Sequence, residues 1–275
     1  MKLQVLVAAV NEEAQRLPEK MNLETDAIIV NQCDHFAYQE YQHKGRTVKC
    51  FSMAERGVGL SRNTALMRAD AEICLFSDED IVFYPGYEEL ILKAFRENPD
   101  ADLITFNFKV DPRRTTYDNK EKGRIRWYNY GRYPTYAAAA RTESLHRANV
   151  SFSLLFGGGA RYSNGEDSLF FHDCLKKGLH LYAETAELGE EIYRESTWFN
   201  GYNEKFFFDR GVLYHYLYGR LAGLFSLRFL YAHRGEMLKE IRLSDAYGMM
   251  KRGIREGKSA KRQEQLLFYI FLWQW

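Results

Sequence analysis

The sequence predicts an α/β fold, a mostly parallel sheet flanked by helices, followed by a helical C-terminal extension. Three observations predict it. Short apolar runs recur through the first half of the chain, the pattern of strands buried on both faces of a parallel sheet. Segments with apolar residues at helical spacing alternate with them. Beyond Gly201 the strand signals stop while helical spacing continues.

Residues 3–10 form the first apolar run and 27–30 the second. Residues 36–43 read as a short helix ended by Gly45, and 48–53 as the third strand. Ser61 is placed as the cap of a helix reaching about Asp70, with Ala65, Leu66 and Ala69 on one face. Residues 72–76 give a fourth strand. A helix follows over 85–98, with Tyr87, Leu90, Ile91, Ala94 and Phe95 at helical spacing. Residues 102–110 read as a strand. Residues 111–149, rich in Arg, Lys and Tyr, read as an insertion or loop region beside a cleft. A strand is expected over 150–155, then Gly157-Gly158-Gly159, then a helix over 168–177 stopped by Gly178, then a short strand over 179–183. In a sheet of this kind ligands bind beyond the C-terminal strand ends. That directs attention to Asn11, to residues 31–34 and to residues 78–80.

Charge excludes one class of function. The chain has 38 Lys+Arg and 37 Asp+Glu, a net charge of +1, too balanced for a bulk nucleic-acid binder. The balance is uneven along the chain: residues 1–204 carry a net −6 and residues 205–262 a net +8. Cys33, Cys50, Cys74 and Cys174 form no CxxC pair, so neither a zinc knuckle nor a dithiol redox motif is expected. The first apolar run meets Asn11, Glu12 and Glu13 at once, unlike a signal peptide, and no run is long enough to span a bilayer. The expectation is a cytoplasmic protein in a reducing compartment.

Three motifs carry chemistry. Asp78-Glu79-Asp80 follows directly on a buried run, a crowding of like charge that a divalent cation would relieve, or else an acidic turn that caps the next segment. Glu166-Asp167 opens a helix after a glycine-rich turn, as a base and its neighbour or as ordinary helix-terminal acids. The stretch from Glu55 to Ala65 places Gly57 and Gly59 before a helix bearing Arg62, suited to an anion or to the acids at 78–80. It is neither a Walker loop nor GxGxxG, which argues against nucleotide hydrolysis and dinucleotide redox chemistry.

The order of five motifs, Ala9-Val10-Asn11-Glu12, Ile28 to Asp34, Gly59-Leu60-Ser61-Arg62-Asn63, Phe76-Ser77-Asp78-Glu79-Asp80 and Gly165-Glu166-Asp167, closely resembles the family-two glycosyltransferases of GT-A fold. The likeness is greatest to bacterial enzymes of capsular and other surface polysaccharide synthesis. It covers roughly residues 1–205, expected to be the catalytic domain, with 206–275 a basic, aromatic-rich helical region.

The resemblance implies that Asp78-x-Asp80 binds a divalent metal, Mn2+ or Mg2+, and the donor diphosphate. Asp80 would be the main ligand, and Asp78 would approach the donor ribose or sugar. Asp34, with Asn11 and Asn31, would contact the nucleotide base, and Arg62 would lie near the diphosphate. Asp167 would be the catalytic base and Glu166 would support the acceptor or the loop. The implied activity is inverting transfer of one sugar from a nucleotide diphosphate sugar, a UDP-sugar first, to a hydroxyl of a glycan or lipid-linked oligosaccharide.

The chain departs from the family pattern at Asn31-Gln32-Cys33-Asp34, where paired aspartates are usual, and it lacks the QxxRW motif of processive synthases. Trp198 is only a loose echo of that motif, and addition of a single sugar per event follows. Tyr128, Tyr130, Tyr133 and Tyr136 suit sugar stacking or packing, and His172 a third metal ligand or a packed side chain. The basic C-terminal region, ending in the aromatic run 266–275, suits peripheral contact with the inner face of the cell membrane, a cap on the catalytic domain or a homodimer interface. The rival function is a non-catalytic carbohydrate- or sugar-nucleotide-binding protein on the same fold.

Overall fold

The apolar runs become buried strands in a computed structural model of the chain. It describes residues 1–112, 118–192, 201–239 and 241–272, with residues 236 and 261–272 by backbone alone. Two compact units result, Met1–Ala160 with Glu166–Glu195, and Arg161–Gly165 with Ser196–Trp275.

The first unit holds the strands β1 (Leu3–Val10), β2 (Asp26–Gln32), β3 (Ala37–His43), β4 (Arg46–Met53), β5 (Ile73–Asp78), β6 (Ile81–Phe83), β7 (Leu103–Lys109), β8 (Gly123–Ile125), β9 (Ala138–Arg141) and β10 (Leu181–Glu191). Its helices are α1 (Leu17–Lys20), α2 (Val58–Leu66), α3 (Tyr87–Glu97), α4 (Thr142–Arg147) and α5 (Glu166–Lys176). The strands join one sheet in the order β3-β4-β2-β1-β5-β9-β7-β10-β6, with β8 also on β10. β4, β2, β1 and β5 are mutually parallel, as are β7 and β10, while β9 runs antiparallel between β5 and β7. Val5, Val7, Ile29 and Leu75 are wholly buried in one core with Ile91 and Phe95 of α3. The register sets Asp78 opposite Ala8, and Val10 opposite Gln32, so the polar strand ends share one edge.

Four expectations need correction. Residues 36–43 form no helix: β3 pairs antiparallel with β4, His43 opposite Arg46. The two-residue turn between them has both residues at positive φ, Lys44 at 49° and Gly45 at 74°. A tight hairpin needs that left-handed backbone, which glycine adopts without strain. Ser61 does not cap α2, which starts earlier, after Gly57 at φ 128°; its hydroxyl instead donates to the Val30 carbonyl (3.2 Å). Residues 150–155 form no strand. The Asn63 side chain takes the place of a partner strand, donating to the Phe152 carbonyl (2.9 Å) and accepting from the Phe152 amide (2.7 Å). Within 111–149, β9 is a central strand whose alanines are buried, a run that carries no strand propensity of its own.

The second unit is helical: α6 (Glu204–Tyr218), α7 (Ala222–Ala232), α8 (Arg234–Met237) and α9 (Leu243–Leu272). Glycines let α6 and α9 touch backbone to backbone. A Cβ on Gly211 would lie 2.1 Å from the Met250 carbonyl oxygen, and one on Gly253 2.0 Å from that of Phe208. Phe207, Leu230, Ala246 and Met250 form the core between these helices. Among the described residues no helix is long and apolar enough to cross a membrane. Trp198 lies outside the described residues, and the terminal run 266–275 outside those with described side chains.

Candidate active site

The loops after β1 and β2 are built by their own polar side chains. Asn11 sits at φ 53° and its amide donates to the Gln32 carbonyl (2.9 Å). Asn31 is buried, and its side chain grips Glu12, donating to the carbonyl (2.8 Å) and accepting from the amide (3.2 Å). Asn31 therefore shapes the β1 loop and has its amide engaged by protein. Gln32 accepts from the Gly57 amide (2.7 Å), and Arg56 donates to the Gln32 carbonyl (2.8 Å) and to Asn11 Oδ1 (3.4 Å). Asp34 is 94% exposed and paired with His35 Nδ1 at 2.9 Å, whose hydrogen bond holds the carboxyl below its ordinary value.

The chemical centre is a cluster of carboxylates around one buried cation. Arg62 projects from α2 with only 4% of its side chain exposed. Its Nη2 donates to Asp78 Oδ1 (3.0 Å) and its Nη1 to Asp167 Oδ1 (3.1 Å), joining the end of β5 to the first turn of α5. The two carboxylates remain about a third exposed, at 31% and 32%. The buried Thr135 hydroxyl also donates to Asp167 Oδ1. Burial alone would weaken the charged form of Arg62, but Asp78, Asp167 and Glu166 outweigh it and raise the guanidinium above its ordinary value. Burial and then the Asp167 charge push the Glu166 carboxyl up to about 7, against the pull of Arg62. Burial likewise raises Asp167, with Arg62 and Thr135 opposing. The Tyr136 hydroxyl is raised by burial and then by Glu191, Asp78, Asp167 and Asp80, which marks where the negative charge concentrates.

Sterics fix this geometry. Phe152 and Phe170 stack at 4.2 Å, with Phe76 edge-on to both and the Arg62 guanidinium 5.4 Å from the Phe152 ring. The Gly158 carbonyl accepts from the Val58 amide (2.9 Å), locking the glycine loop onto the start of α2. Gly157 sits at φ 105°, and a Cβ there would meet Val58 Cγ1 at 2.7 Å and Glu166 Cδ at 2.8 Å. Only glycine lets the Glu166 side chain lie there.

The arrangement brings together Arg62, Asp78, Glu166 and Asp167, and places Asp80 within the field that acts on Tyr136. It sets Asn11, Asn31 and Asp34 at the ends of β1 and β2. Tyr130 and Tyr133 are buried, Tyr130 beside His172 at 5.7 Å, whereas Tyr128 is exposed. Among the described residues, the group of three side chains with metal-ligating atoms within 4.8 Å of one another is Cys33, Asp34 and His35, not one containing Asp78 and Asp80. A hard cation at Asp78 and Asp80 would thus draw further oxygens from a substrate, as Mg2+ and Mn2+ do with phosphates. The roles of Arg56 and Thr135 escape sequence reasoning. Thr135 in particular reaches Asp167 across 32 positions from a region with no local motif.

A family model described as glycosyl transferase family 2 matches residues 6–156. No curated protein matches the chain. Among solved structures, the S. aureus TarS fragment 1–349 in complex with UDP-GlcNAc is 17% identical at TM-score 0.61, covering 92% of this chain and 81% of that one. The same fragment with UDP gives 17% identity and TM-score 0.59 over the same shares. A longer TarS structure gives 16% and 0.57, over 89% of this chain and 46% of that one. At these identities the likeness is one of fold.

Proposed function

We propose, for a chain that belongs to glycosyl transferase family 2, a metal-dependent, inverting transfer of one sugar per event. The donor is a nucleotide diphosphate sugar, a UDP-sugar first, and the acceptor a hydroxyl of a glycan or lipid-linked oligosaccharide in surface polysaccharide synthesis. One observation carries the reading: Arg62 ties Asp78, at the expected donor end of β5, to Asp167, at the expected acceptor side on α5. The crystallised partners of the similar TarS fragment, UDP-GlcNAc and UDP, support the choice of donor.

Asp167 is assigned as the base. It takes the proton from the acceptor hydroxyl as that oxygen bonds to the anomeric carbon from the face opposite the leaving group. The bond from the anomeric carbon to the diphosphate oxygen breaks, its electron pair leaves with the diphosphate, and the anomeric centre inverts. Arg62 and Thr135 favour the ionised form of Asp167 against the effect of burial and aim its carboxylate, and Glu166 supports the acceptor side. Asp80 and Asp78 would hold Mn2+ or Mg2+, and their all-oxygen donor set suits either ion. A bound divalent ion supplies Lewis-acid neutralisation of charge on the departing diphosphate. Asn11 and Asp34 are assigned to the nucleotide base, with Asn31 acting on it through the β1 loop. These steps belong to the first unit.

The test is a panel of nucleotide sugars with Mn2+ or Mg2+, scored by donor hydrolysis and by donor-induced thermal shift. Metal-dependent hydrolysis is expected, as is an Asp167→Asn variant that loses transfer by at least 100-fold while its donor shift persists. Binding without hydrolysis for every donor would favour the carbohydrate-binding alternative.

A further inference from the structure

The outer face of α7 gathers exposed apolar side chains. Ala222, Ser226 and Leu230, spaced four apart, are buried and turn one face of the helix toward the core. The opposite face exposes Leu224, Leu227, Arg228 and Tyr231 at the i, i+3, i+4, i+7 spacing of a single stripe. Leu221 and Arg220 extend it at one end and Arg234 at the other. The apolar members are well exposed: Leu221 56%, Leu224 64% and Tyr231 65%. Apolar side chains gathered in one stripe mark an interaction surface far more often than scattered ones do.

Its charge is all of one sign. From residue 210 to residue 235 the sequence has four arginines and no Asp or Glu. Arg234 lies over the Tyr231 ring at 4.2 Å and donates to the Tyr231 carbonyl (2.8 Å). Neither Arg220 nor Arg228 makes an ion pair among the described residues.

We propose that this face docks the protein on an anionic lipid bilayer, with α7 lying in the plane of the surface. Leu221, Leu224, Leu227 and Tyr231 enter the headgroup boundary, and Arg220, Arg228 and Arg234 meet lipid phosphates. At eleven residues, about 16 Å, α7 is far too short to cross a membrane. A symmetric pairing of two copies through the same face would set arginine against arginine, with no acid among residues 210–235 to relieve them. A negatively charged surface accepts both the leucines and the charge. The contact is thereby placed on α7, and it stands independently of the transfer reaction.

The full chain is sedimented with vesicles of phosphatidylcholine containing 30% phosphatidylglycerol, and with phosphatidylcholine alone, at low and high salt. Binding is expected to the anionic vesicles and to weaken with salt. R220A/R228A should lower the partition coefficient about 25-fold, near fivefold per arginine. L221S/L224S/L227S should lower it about 100-fold or more. These side chains are exposed, and circular dichroism confirms that each variant folds. The proposal is overturned if the wild type fails to bind anionic vesicles at low salt, or if both variants bind as it does. It is equally overturned if sedimentation equilibrium shows a dimer that the leucine substitutions dissolve while vesicle binding persists.

Discussion

Replacing Arg62 by methionine removes the cation that Asp78 and Asp167 share while keeping most of its bulk. At the effective dielectric near 20 that suits such sites, unit charges about 4 Å apart attract by roughly 4 kcal/mol. Each carboxylate is about a third exposed, so water screens part of this, and about 1.5 kcal/mol per contact is a reasonable net value. Losing both contacts should cost about 3 kcal/mol. For a chain of 275 residues that lowers the melting temperature by roughly 6–12 °C. Arg62 opposes the rise of the Asp167 carboxyl, so its loss should raise that group's proton affinity further. The acidic limb of kcat/KM against pH should therefore move to higher pH. Differential scanning fluorimetry and the pH profile of donor turnover measure the two effects separately. A variant that melts within 1 °C of wild type, with an unmoved acidic limb, would refute the bridging role of Arg62. Loss of stability without the pH shift would leave Arg62 a packing residue only.

The Glu166 carboxyl, pushed up to about 7 from 4.5 by burial and Asp167, binds its proton more tightly in the folded protein than in the unfolded chain. Stability from this group is present at low pH and falls as pH rises from about 4.5 to about 7, by at most about 3 kcal/mol. Glu166→Gln should flatten that fall and melt above wild type at pH 8, which thermal denaturation across pH 5–8 would check. In the second unit, Gly253→Ala pushes a methyl against the Phe208 carbonyl oxygen and should destabilise by about 1–3 kcal/mol, read from chemical denaturation with α-helical signal. An unchanged midpoint would mean that α6 and α9 leave more room at Gly253 than a Cβ placed 2.0 Å from that oxygen implies.

The legible parts of the site lie beside strong local patterns. Asp78 and Asp80 end an apolar run, and Glu166-Asp167 follow glycines, so both could be read as strand-end and helix-start acids. What they face was legible only in part. Pairing of Arg62 with the acids at 78–80, 16 positions away, is one of the two partners the sequence suggests, but nothing in its immediate sequence marks its second bond, to Asp167 105 positions away. Thr135 sits in a stretch without periodicity, where three alanines also form a central strand. Residues 36–43 misled because their strand is largely exposed, so no buried face imposed the two-residue alternation that marks a strand.

The sequence by itself determined the alternation of buried strands and helices, the edge of the sheet where polar residues gather, and the split between an acidic body and a basic helical region. These depend on periodicity and composition over a few residues, where burial of apolar area dominates. Only the tertiary structure decided which carboxylate meets which cation, why glycine stands at 157, and which face of α7 is left to solvent. Those depend on contacts between distant segments, and at separations near 3 Å both charge pairing and steric exclusion change too steeply with distance for one-dimensional spacing to record them.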